Sequence, residues 1–164
     1  MERLWAPWRM QYIEQSDKVE GCIFCVLPEE QRDRENLILY RGKTCFLMLN
    51  SFPYNNGHLM VAPYKHTADM YALDDGELLE ISHLIRYSIR LLTAAMEPDG
   101  FNLGVNLGRS AGAGVADHIH WHIVPRWTGD TNFMPVVADT KVLPDSLRST
   151  YDKLKEKMAE LGAV

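Results

Sequence analysis

The stretch that decides the fold is His118-Ile119-His120-Trp121-His122-Ile123-Val124, in which histidine alternates with apolar residues. Side chains on a β-strand alternate between the two faces of a sheet, so this pattern predicts a strand with three imidazoles on one face. The apolar residues between the histidines fill the opposite face. We therefore expect a strand over residues 119–125 with one packed side and one histidine side.

Three neighbouring imidazoles are costly as a purely structural device, because buried rings need polar partners and protonated rings repel one another. A solvent-facing strand that happens to be histidine-rich and a structural metal site are the two alternatives. We favour chemistry at phosphorus. A neutral imidazole nitrogen can attack a phosphorus atom and form a covalent intermediate, while neighbouring rings donate hydrogen bonds to phosphate oxygens.

A glycine-rich segment precedes the histidines, with Gly108, Gly112 and Gly114 between Asn106 and Asp117. Glycine permits close backbone approach, so amide groups can face a phosphate. On its own such a segment would be read as a flexible connection between two strands. Beside the three histidines it becomes a candidate phosphate-binding loop.

Composition and charge restrict the class of protein. The chain has 164 residues, 46% of them hydrophobic, which suits one domain with a sizeable core. The formal net charge is −5, which argues against binding to a nucleic-acid polymer but not against a small anionic substrate. No apolar run is long enough to span a bilayer, so we expect no membrane association and a cytoplasmic location.

The rest of the chain predicts an α+β fold with an antiparallel sheet. Strands are expected over residues 37–41, 44–49, 58–63 and 101–106, a long helix over 73–96 and a C-terminal helix over 144–162. Cys45 lies in an apolar run and is expected to be a core thiol. Trp5 and Trp8 fall in an N-terminal extension, residues 1–20, and should pack on the domain or on a second subunit.

At this point the sequence resembles the histidine triad (HIT) family, over residues 21–127. The resemblance rests on the triplet and on four further segments: Cys22-Ile23-Phe24-Cys25, Leu49-Asn50, Asn56-Gly57-His58-Leu59-Met60-Val61-Ala62-Pro63 and Phe101-Asn102-Leu103-Gly104-Val105-Asn106. The segments at residues 3–9 and 125–130, with Asp117, are similar to the diadenosine tetraphosphate phosphorylase-like branch. The resemblance implies a single HIT domain over residues 1–164 with a sheet of about five strands.

The family also implies roles for matching positions. His120 would be the nucleophile, with His122 and His58 beside it and in contact with phosphate. Nucleotide and phosphate contacts would come from Asn50 near the ribose, from Asn106 and His122, and from the loop glycines Gly112 and Gly114. Arg109 and Arg126 are further candidates, each with a solvated surface charge as the stronger alternative.

One departure from the family concerns the loop just ahead of the triplet. Relatives often carry a serine or threonine there, whereas this sequence has Gly114 or Val115, depending on a shift of one residue. A backbone amide, a water or Ser110 must then replace the hydroxyl. This is compatible with phosphate, rather than water, attacking the intermediate.

Cys22 and Cys25 form a C-x2-C pair, which alone could be redox-active, metal-binding or incidental. Two thiolates need two more ligands to close a tetrahedral zinc site. Family members with the same pair use the positions of His66 and His118. The resemblance therefore implies a structural zinc site of Cys22, Cys25, His66 and His118, while His83 is expected to be a surface residue.

The sequence thus predicts an enzyme acting on nucleotides, such as adenine dinucleoside polyphosphates, through a nucleotidyl-His120 intermediate. The resemblance further implies a homodimer with a sheet continuing across its interface. The rivals are a nucleoside phosphoramidate hydrolase, a nucleotide-binding regulatory protein with little catalysis, and a zinc-stabilised scaffold.

Overall fold

The computed structural model describes residues 21–130 and 145–162. Within these ranges the chain forms three α-helices and five strands. In chain order they are α1 (Ile23–Glu29), β1 (Ile38–Arg41), β2 (Cys45–Leu49), β3 (Leu59–Pro63), α2 (Asp75–Met96), β4 (Gly100–Val105), β5 (Trp121–Arg126) and α3 (Leu147–Leu161). The predicted α+β fold, with a long helix and a C-terminal helix, is confirmed.

The five strands make one antiparallel sheet in the order β1-β2-β3-β5-β4. Strand β5 lies between β3 and β4, where His122 is opposite Met60 on one side and Gly104 on the other. Since β4 is the last strand in this order, one of its edges has no neighbour among the described strands. The catalytic candidates therefore lie at an interior strand.

The two faces of the sheet carry different apolar clusters. Leu47, Val61 and Ile123 belong to a core that α2 and α3 cover, whereas Phe46 and Met60 belong to a second cluster that contains Phe24 of α1. This division follows the two-residue period of the strands. Each fully buried large side chain contributes roughly 1.5–3 kcal/mol to stability. Ile119 and Trp121 lie in the core that α2 and α3 cover, so the predicted packed face of the triplet is confirmed.

Helix α2 begins where its capping residues dictate. Asp74 accepts a hydrogen bond from the Glu77 backbone, and the Glu77 side chain accepts one from the Asp74 backbone. This capping box satisfies donors that the first turn leaves unpaired. The helix ends at Met96, and the residue after it, Glu97, adopts a left-handed conformation with φ of 50°. The predicted start at residue 73 is two residues early, because the cap is Asp74.

One strand boundary was predicted wrongly and one helix was missed. Strand β5 begins at Trp121 rather than at residue 119, because the Ile119 amide donates to the carbonyl of Thr67 outside the sheet. Helix α1 was not predicted, since its apolar sequence contains Pro28 and shows no helical alternation. Helix α3 begins at Leu147, capped by Ser146.

Some predictions concern residues outside the described ranges. These include the extension at residues 1–20 with Trp5 and Trp8, and Pro144 at the start of the predicted C-terminal helix. The single domain over residues 1–164 accordingly stays a prediction. In the part of the chain that is described, no helix combines the length and apolarity that crossing a membrane would require.

Candidate active site and metal-donor cluster

The three histidines of the triplet lie at the start of β5 and just before it. The rings of His120 and His122 are 4.9 Å apart between centroids. Phe24 of α1 packs against two of them, at 5.3 Å from the His118 ring and 4.6 Å from the His120 ring. The predicted shared face is thus formed, and α1 covers part of it.

His120 is held in one tautomer by a backbone group. Its Nδ1 lies 2.8 Å from the carbonyl oxygen of His118, and only a protonated nitrogen can donate to that acceptor. The remaining nitrogen, Nε2, then carries the lone pair. The residue is 5% exposed, and burial lowers the pKa of His120 below its ordinary value. A neutral imidazole with its lone pair on Nε2 is the form that a nucleophile requires.

His58 and His122 form a directed hydrogen-bond chain. The Tyr54 amide donates to His58 Nδ1 at 3.1 Å, and the Asn50 side-chain nitrogen lies 3.4 Å from the same atom. With Nδ1 accepting, the His58 proton is on Nε2, which lies 2.9 Å from His122 Nδ1. His122 therefore accepts at Nδ1 and carries its own proton on Nε2. That proton suits donation to a phosphate oxygen.

Asn50 makes a hydrogen bond within its own loop that the sequence did not predict. Its side-chain oxygen accepts a hydrogen bond from the Phe52 amide at 2.8 Å, and the residue is 9% exposed. The side chain thus supports the loop that leads to His58. The proposed role of Asn50 near the ribose stays a prediction.

The glycine-rich segment folds into a short 3-10 turn, Arg109–Ala111, between Gly108 and Gly112. Both glycines have positive φ, 81° and 87°, which favours glycine over other residues. Asn106 donates to the Gly112 carbonyl oxygen at 3.5 Å, so the two predicted phosphate contacts are neighbours.

A cavity of about 670 Å³ lies between this loop and the N-terminal end of α1. Its lining includes Arg109, Gly114, Val115 and Asp117 on one side and Cys22 and His66 on the other. None of His58, His120 and His122 is among the lining residues. The cavity therefore adjoins the metal-donor cluster more directly than it adjoins His120.

Arg126 is engaged in an ion pair. Its guanidinium contacts Asp130 at 2.6 Å and donates to the Asn102 side chain at 2.8 Å. This arrangement favours a structural role over the hypothesis of a phosphate contact. Arg109 is exposed in the loop, and His83 is exposed on α2 as expected.

The four proposed metal ligands converge. The nitrogen Nδ1 of His118 lies 3.3 Å from Cys22 Sγ, 3.6 Å from Cys25 Sγ and 3.3 Å from His66 Nδ1, and Cys25 Sγ is 3.4 Å from His66 Nδ1. A tetrahedral zinc ion with ordinary bond lengths separates sulfur and nitrogen ligands by about 3.5 Å and two nitrogens by about 3.3 Å. The donor set therefore fits zinc in type, number and spacing.

The other ring nitrogen of His118 supports this geometry. Nε2 lies 2.8 Å from the carbonyl oxygen of Pro63, which fixes the proton there and turns the lone pair of Nδ1 toward the cysteines. Burial and the neighbouring Cys22 raise the pKa of Cys25 to about 11. A bound divalent cation would reverse this effect, because it favours the thiolate.

Sequence reasoning missed several residues of this region. Phe24 packs on His120, Tyr54 stacks near His122 at 5.7 Å between ring centroids, and Asn55 contacts Asp130. The motif around Phe24 was read only for its cysteines. The other contacts join loops whose approach follows from the fold, so no local pattern indicates them.

Comparison with known proteins gives consistent matches. The profile of the HIT domain matches residues 31–129. A Mycobacterium tuberculosis protein named AP-4-A phosphorylase is 40% identical over 167 residues, covering 97% of this chain and 85% of that protein.

Two solved structures are similar over most of their length. A zinc-bound histidine triad family protein from Mycobacterium smegmatis has a TM-score of 0.69 at 23% identity, covering 86% of this chain and 95% of that one. A hypothetical histidine triad nucleotide-binding protein from Sulfolobus tokodaii has a TM-score of 0.68 at 26% identity, covering 85% and 93%.

Proposed function

This chain belongs to the HIT domain family, and on that basis we propose that it acts on dinucleoside polyphosphates such as diadenosine tetraphosphate through a covalent nucleotidyl-His120 intermediate. The family match and the 40% identical relative confirm the predicted family and the prediction of a nucleotide-processing enzyme. The substrate, the intermediate and the residue roles are our proposal.

The observation that carries the proposal is the tautomer of His120. The contact of 2.8 Å from Nδ1 to the His118 carbonyl oxygen leaves the lone pair on Nε2. The same contact stabilises the positive charge that develops on the ring when Nε2 attacks, because Nδ1 keeps its proton and its acceptor. Burial keeps the ring neutral before the attack.

In the first step Nε2 attacks the α-phosphorus of diadenosine tetraphosphate. A phosphorus–nitrogen bond forms while the bond from phosphorus to the bridging oxygen of the β-phosphate breaks, and ATP leaves with that electron pair. In the second step an oxygen of inorganic phosphate attacks the adenylyl group. The phosphorus–nitrogen bond breaks, its electrons return to Nε2, and ADP is released.

Five residues are proposed to hold the nucleotide and its phosphates. His122 donates from Nε2 to a phosphate oxygen, with His58 behind it in the hydrogen-bond chain. Asn106 and Gly114 of the glycine-rich segment are proposed to offer amide donors to the phosphates. The Gly112 amide donates to the Arg109 carbonyl oxygen, so Gly112 is proposed to let the backbone approach the phosphates closely. Asn50 is proposed to lie near the ribose. Val115, half-buried against the second apolar cluster, has no hydroxyl to assist the leaving group.

We propose that Cys22, Cys25, His66 and His118 bind a structural zinc ion, which would supply cross-linking of α1 to the catalytic segment. The support is the spacing of the four donor atoms, which all lie within 4.8 Å of one another. Four protein ligands complete a tetrahedral site, so these residues would hold the ion without an open position for water. Their role would be to fix the His118 backbone.

The proposed homodimer is supported by the edge strand β4. Its Leu103 is 51% exposed, and a strand edge that no other described strand covers, with an apolar side chain, suits pairing with a second copy. Sedimentation should then give a dimer mass for the natural chain and a monomer mass for Leu103→Asp. A monomer in both would contradict this assembly. A cytoplasmic location, and the lack of binding to membranes or nucleic-acid polymers, stay predictions.

A product assay tests the proposed reaction. The enzyme is incubated with diadenosine tetraphosphate, with and without inorganic phosphate. ADP and ATP appearing only with phosphate indicate phosphorolysis, while AMP and ATP without phosphate indicate hydrolysis. No turnover of this substrate, together with rapid cleavage of adenosine phosphoramidate, would contradict the proposal and favour the phosphoramidate hydrolase. Nucleotide binding without turnover of either would favour a regulatory protein.

A further inference from the structure

We infer that Asn55 and Asp130 are positioning residues that hold the His58–His122 chain in its donating tautomers. The inference rests on the proposed function for its effect on turnover, whereas its structural part stands on the hydrogen bonds. The Asn55 side chain bonds to Asp130 and to Pro125 at the end of β5, and Asn55 reaches His58 through its backbone carbonyl oxygen. Asn55 and Asp130 act through the loop between Asn50 and His58.

Asp130 lies just beyond β5, and hydrogen bonds hold its carboxylate in place. Its carboxylate accepts from Arg126 Nε at 2.6 Å, from Arg126 Nη2 at 2.8 Å and from the Trp127 amide at 3.1 Å. The side chain is only 8% exposed, although this segment lies at the surface. A bidentate ion pair with an added backbone donor defines both oxygens in space.

Asn55 joins the loop between Asn50 and His58 to Asp130. Its side-chain nitrogen donates to Asp130 Oδ2 at 2.8 Å and to the Pro125 carbonyl oxygen at 3.1 Å, so it joins the loop to the end of β5. The backbone carbonyl oxygen of Asn55 accepts a hydrogen bond from the His58 backbone amide at 3.1 Å. Asn55 therefore directly follows Tyr54 in the chain and is also hydrogen-bonded to His58.

The loop has little room for adjustment on its other side. Gly57 has φ of 76°, and a Cβ placed there would lie 2.8 Å from the sulfur of Met96 on α2. The loop between Asn50 and His58 thus packs between α2 and the end of β5. Within this loop, the Asn55 contacts determine the position of the Tyr54 amide.

The Tyr54 amide is the group that sets the proton positions. Its contact with His58 Nδ1 at 3.1 Å is shorter than the 3.4 Å contact from Asn50. If this donor moves away, His58 can carry its proton on Nδ1 and accept at Nε2. His122 then carries its proton on Nδ1 and donates it to His58. Its Nε2 presents a lone pair to the anionic phosphate, and the lone pair and the phosphate repel each other.

The test compares Asn55→Ala and Asp130→Asn with the natural chain. The matched control is Asp152→Asn, which removes the bidentate partner of Arg34, at 2.7 Å, an ion pair separate from the contacts of Asn55 and Asp130. Two readouts are measured on the full-length, zinc-loaded protein. They are steady-state turnover of diadenosine tetraphosphate with phosphate, and the nitrogen-15 NMR signals that report which ring nitrogen of His58 and His122 is protonated.

We expect Asn55→Ala to lower kcat roughly ten- to hundredfold, as a displaced catalytic group does. KM should change by less than about threefold, because the phosphate and nucleotide contacts remain. The His58 and His122 nitrogen signals should move toward the other tautomer in Asn55→Ala and, to a smaller extent, in Asp130→Asn. Asp152→Asn should leave both readouts unchanged.

Natural tautomers in Asn55→Ala would overturn the inference, whatever the rate. Equal shifts in the Asp152→Asn control would overturn it as well, because they would reflect general loosening. If Asn55→Ala does not fold, the isosteric Asp130→Asn decides on the same signals. A natural chain that turns over no dinucleoside polyphosphate would contradict the proposed function, while the nitrogen signals would still decide the positioning roles.

Discussion

Two regions of the molecule use imidazoles in opposite ways. One is the metal-donor cluster of Cys22, Cys25, His66 and His118, and the other is the histidine chain of His58 and His122 with the proposed nucleophile His120. In the cluster the Nδ1 atoms of His66 and His118 approach to 3.3 Å beside two sulfurs. In the chain a donor nitrogen meets an acceptor nitrogen at 2.9 Å. The first arrangement suits a shared cation, and the second suits directed proton donation.

The difference arises from the partner of each ring's second nitrogen. The Pro63 carbonyl fixes His118, the His118 carbonyl fixes His120, and the Tyr54 amide fixes His58. An acceptor at one nitrogen leaves a lone pair at the other, while a donor leaves a proton there. The backbone around a histidine therefore decides whether the ring serves as ligand, nucleophile or donor.

The two regions share one residue, since the side chain of His118 belongs to the cluster and its carbonyl oxygen holds His120. Because different groups of His118 serve the two regions, changes to the other residues of either region should have distinguishable main effects. Loss of the nucleophile should remove chemistry and keep the fold. Loss of a ligand should remove metal and stability.

The largest effect is expected for His120→Asn, which removes the nucleophilic nitrogen from a ring that is 5% exposed. Turnover should fall on the order of 10³-fold or more, as when a covalent nucleophile is lost. The thermal midpoint and zinc content should stay near those of the natural chain. The control is His83→Asn on the surface of α2, which should keep full activity. Turnover by His120→Asn at the natural rate would refute the proposed mechanism.

Cys22→Ser should have the next largest effect, because it removes a donor whose sulfur lies 3.3 Å from His118 Nδ1. Zinc measured by atomic emission should fall from one per chain, and the free energy of unfolding should fall by roughly 3 kcal/mol or more. Cys45→Ala is the control, since Cys45 is a buried thiol outside the cluster. It should keep its zinc. Unchanged zinc and stability in Cys22→Ser would exclude the assigned site.

A smaller loss is expected for His58→Phe, which removes the donor to His122 Nδ1 and keeps a ring in the buried position. The rate should fall about ten- to hundredfold, because His122 loses the partner that defines its tautomer. Zinc content should not change, which separates the histidine chain from the cluster. A loss of zinc equal to that of Cys22→Ser would show that the two regions are not separable.

The smallest effect concerns pH and Asp130. Hydrogen bonds from Arg126 lower the pKa of Asp130 to about 2. A carboxyl whose folded pKa is depressed contributes stability above its unfolded pKa and loses it as pH falls toward the folded value. The stability advantage over Asp130→Asn should therefore shrink, by about 1 kcal/mol or less, between pH 6 and roughly pH 3. Urea unfolding at both pH values measures it, and an advantage that grows in acid would contradict the assigned shift.

Sequence periodicity was sufficient for the elements with strong alternation. Strands β2 and β3 and helix α2 lie within two residues of the predicted bounds because apolar spacing and the Asp74 cap define them. Helix α1 was missed because its seven residues are mostly apolar and include Pro28. Its position beside the metal-donor cluster depends on tertiary contacts that no local pattern encodes.

The candidate site was only partly predictable for the same reason. The alternation of the triplet indicated a shared histidine face, and the family resemblance supplied His66 and His118, which are 41 and 93 positions from Cys25. The tautomers depend on the Tyr54 amide and two carbonyl groups. The contact between Asn55 and Asp130 joins residues 75 positions apart. Such contacts follow from the way the loops meet in the folded domain, not from side-chain types along the chain.

The proposed mechanism requires that Nε2 of His120 bonds to phosphorus during turnover. Rapid quenching of the natural chain with diadenosine tetraphosphate, without phosphate and at alkaline pH to preserve a phosphorus–nitrogen bond, allows intact-mass measurement and peptide mapping. We expect one adenylyl group per chain, on the peptide that contains His120, and its disappearance when phosphate is added. Turnover without any adduct, or an adduct on a different residue, would contradict the proposed mechanism.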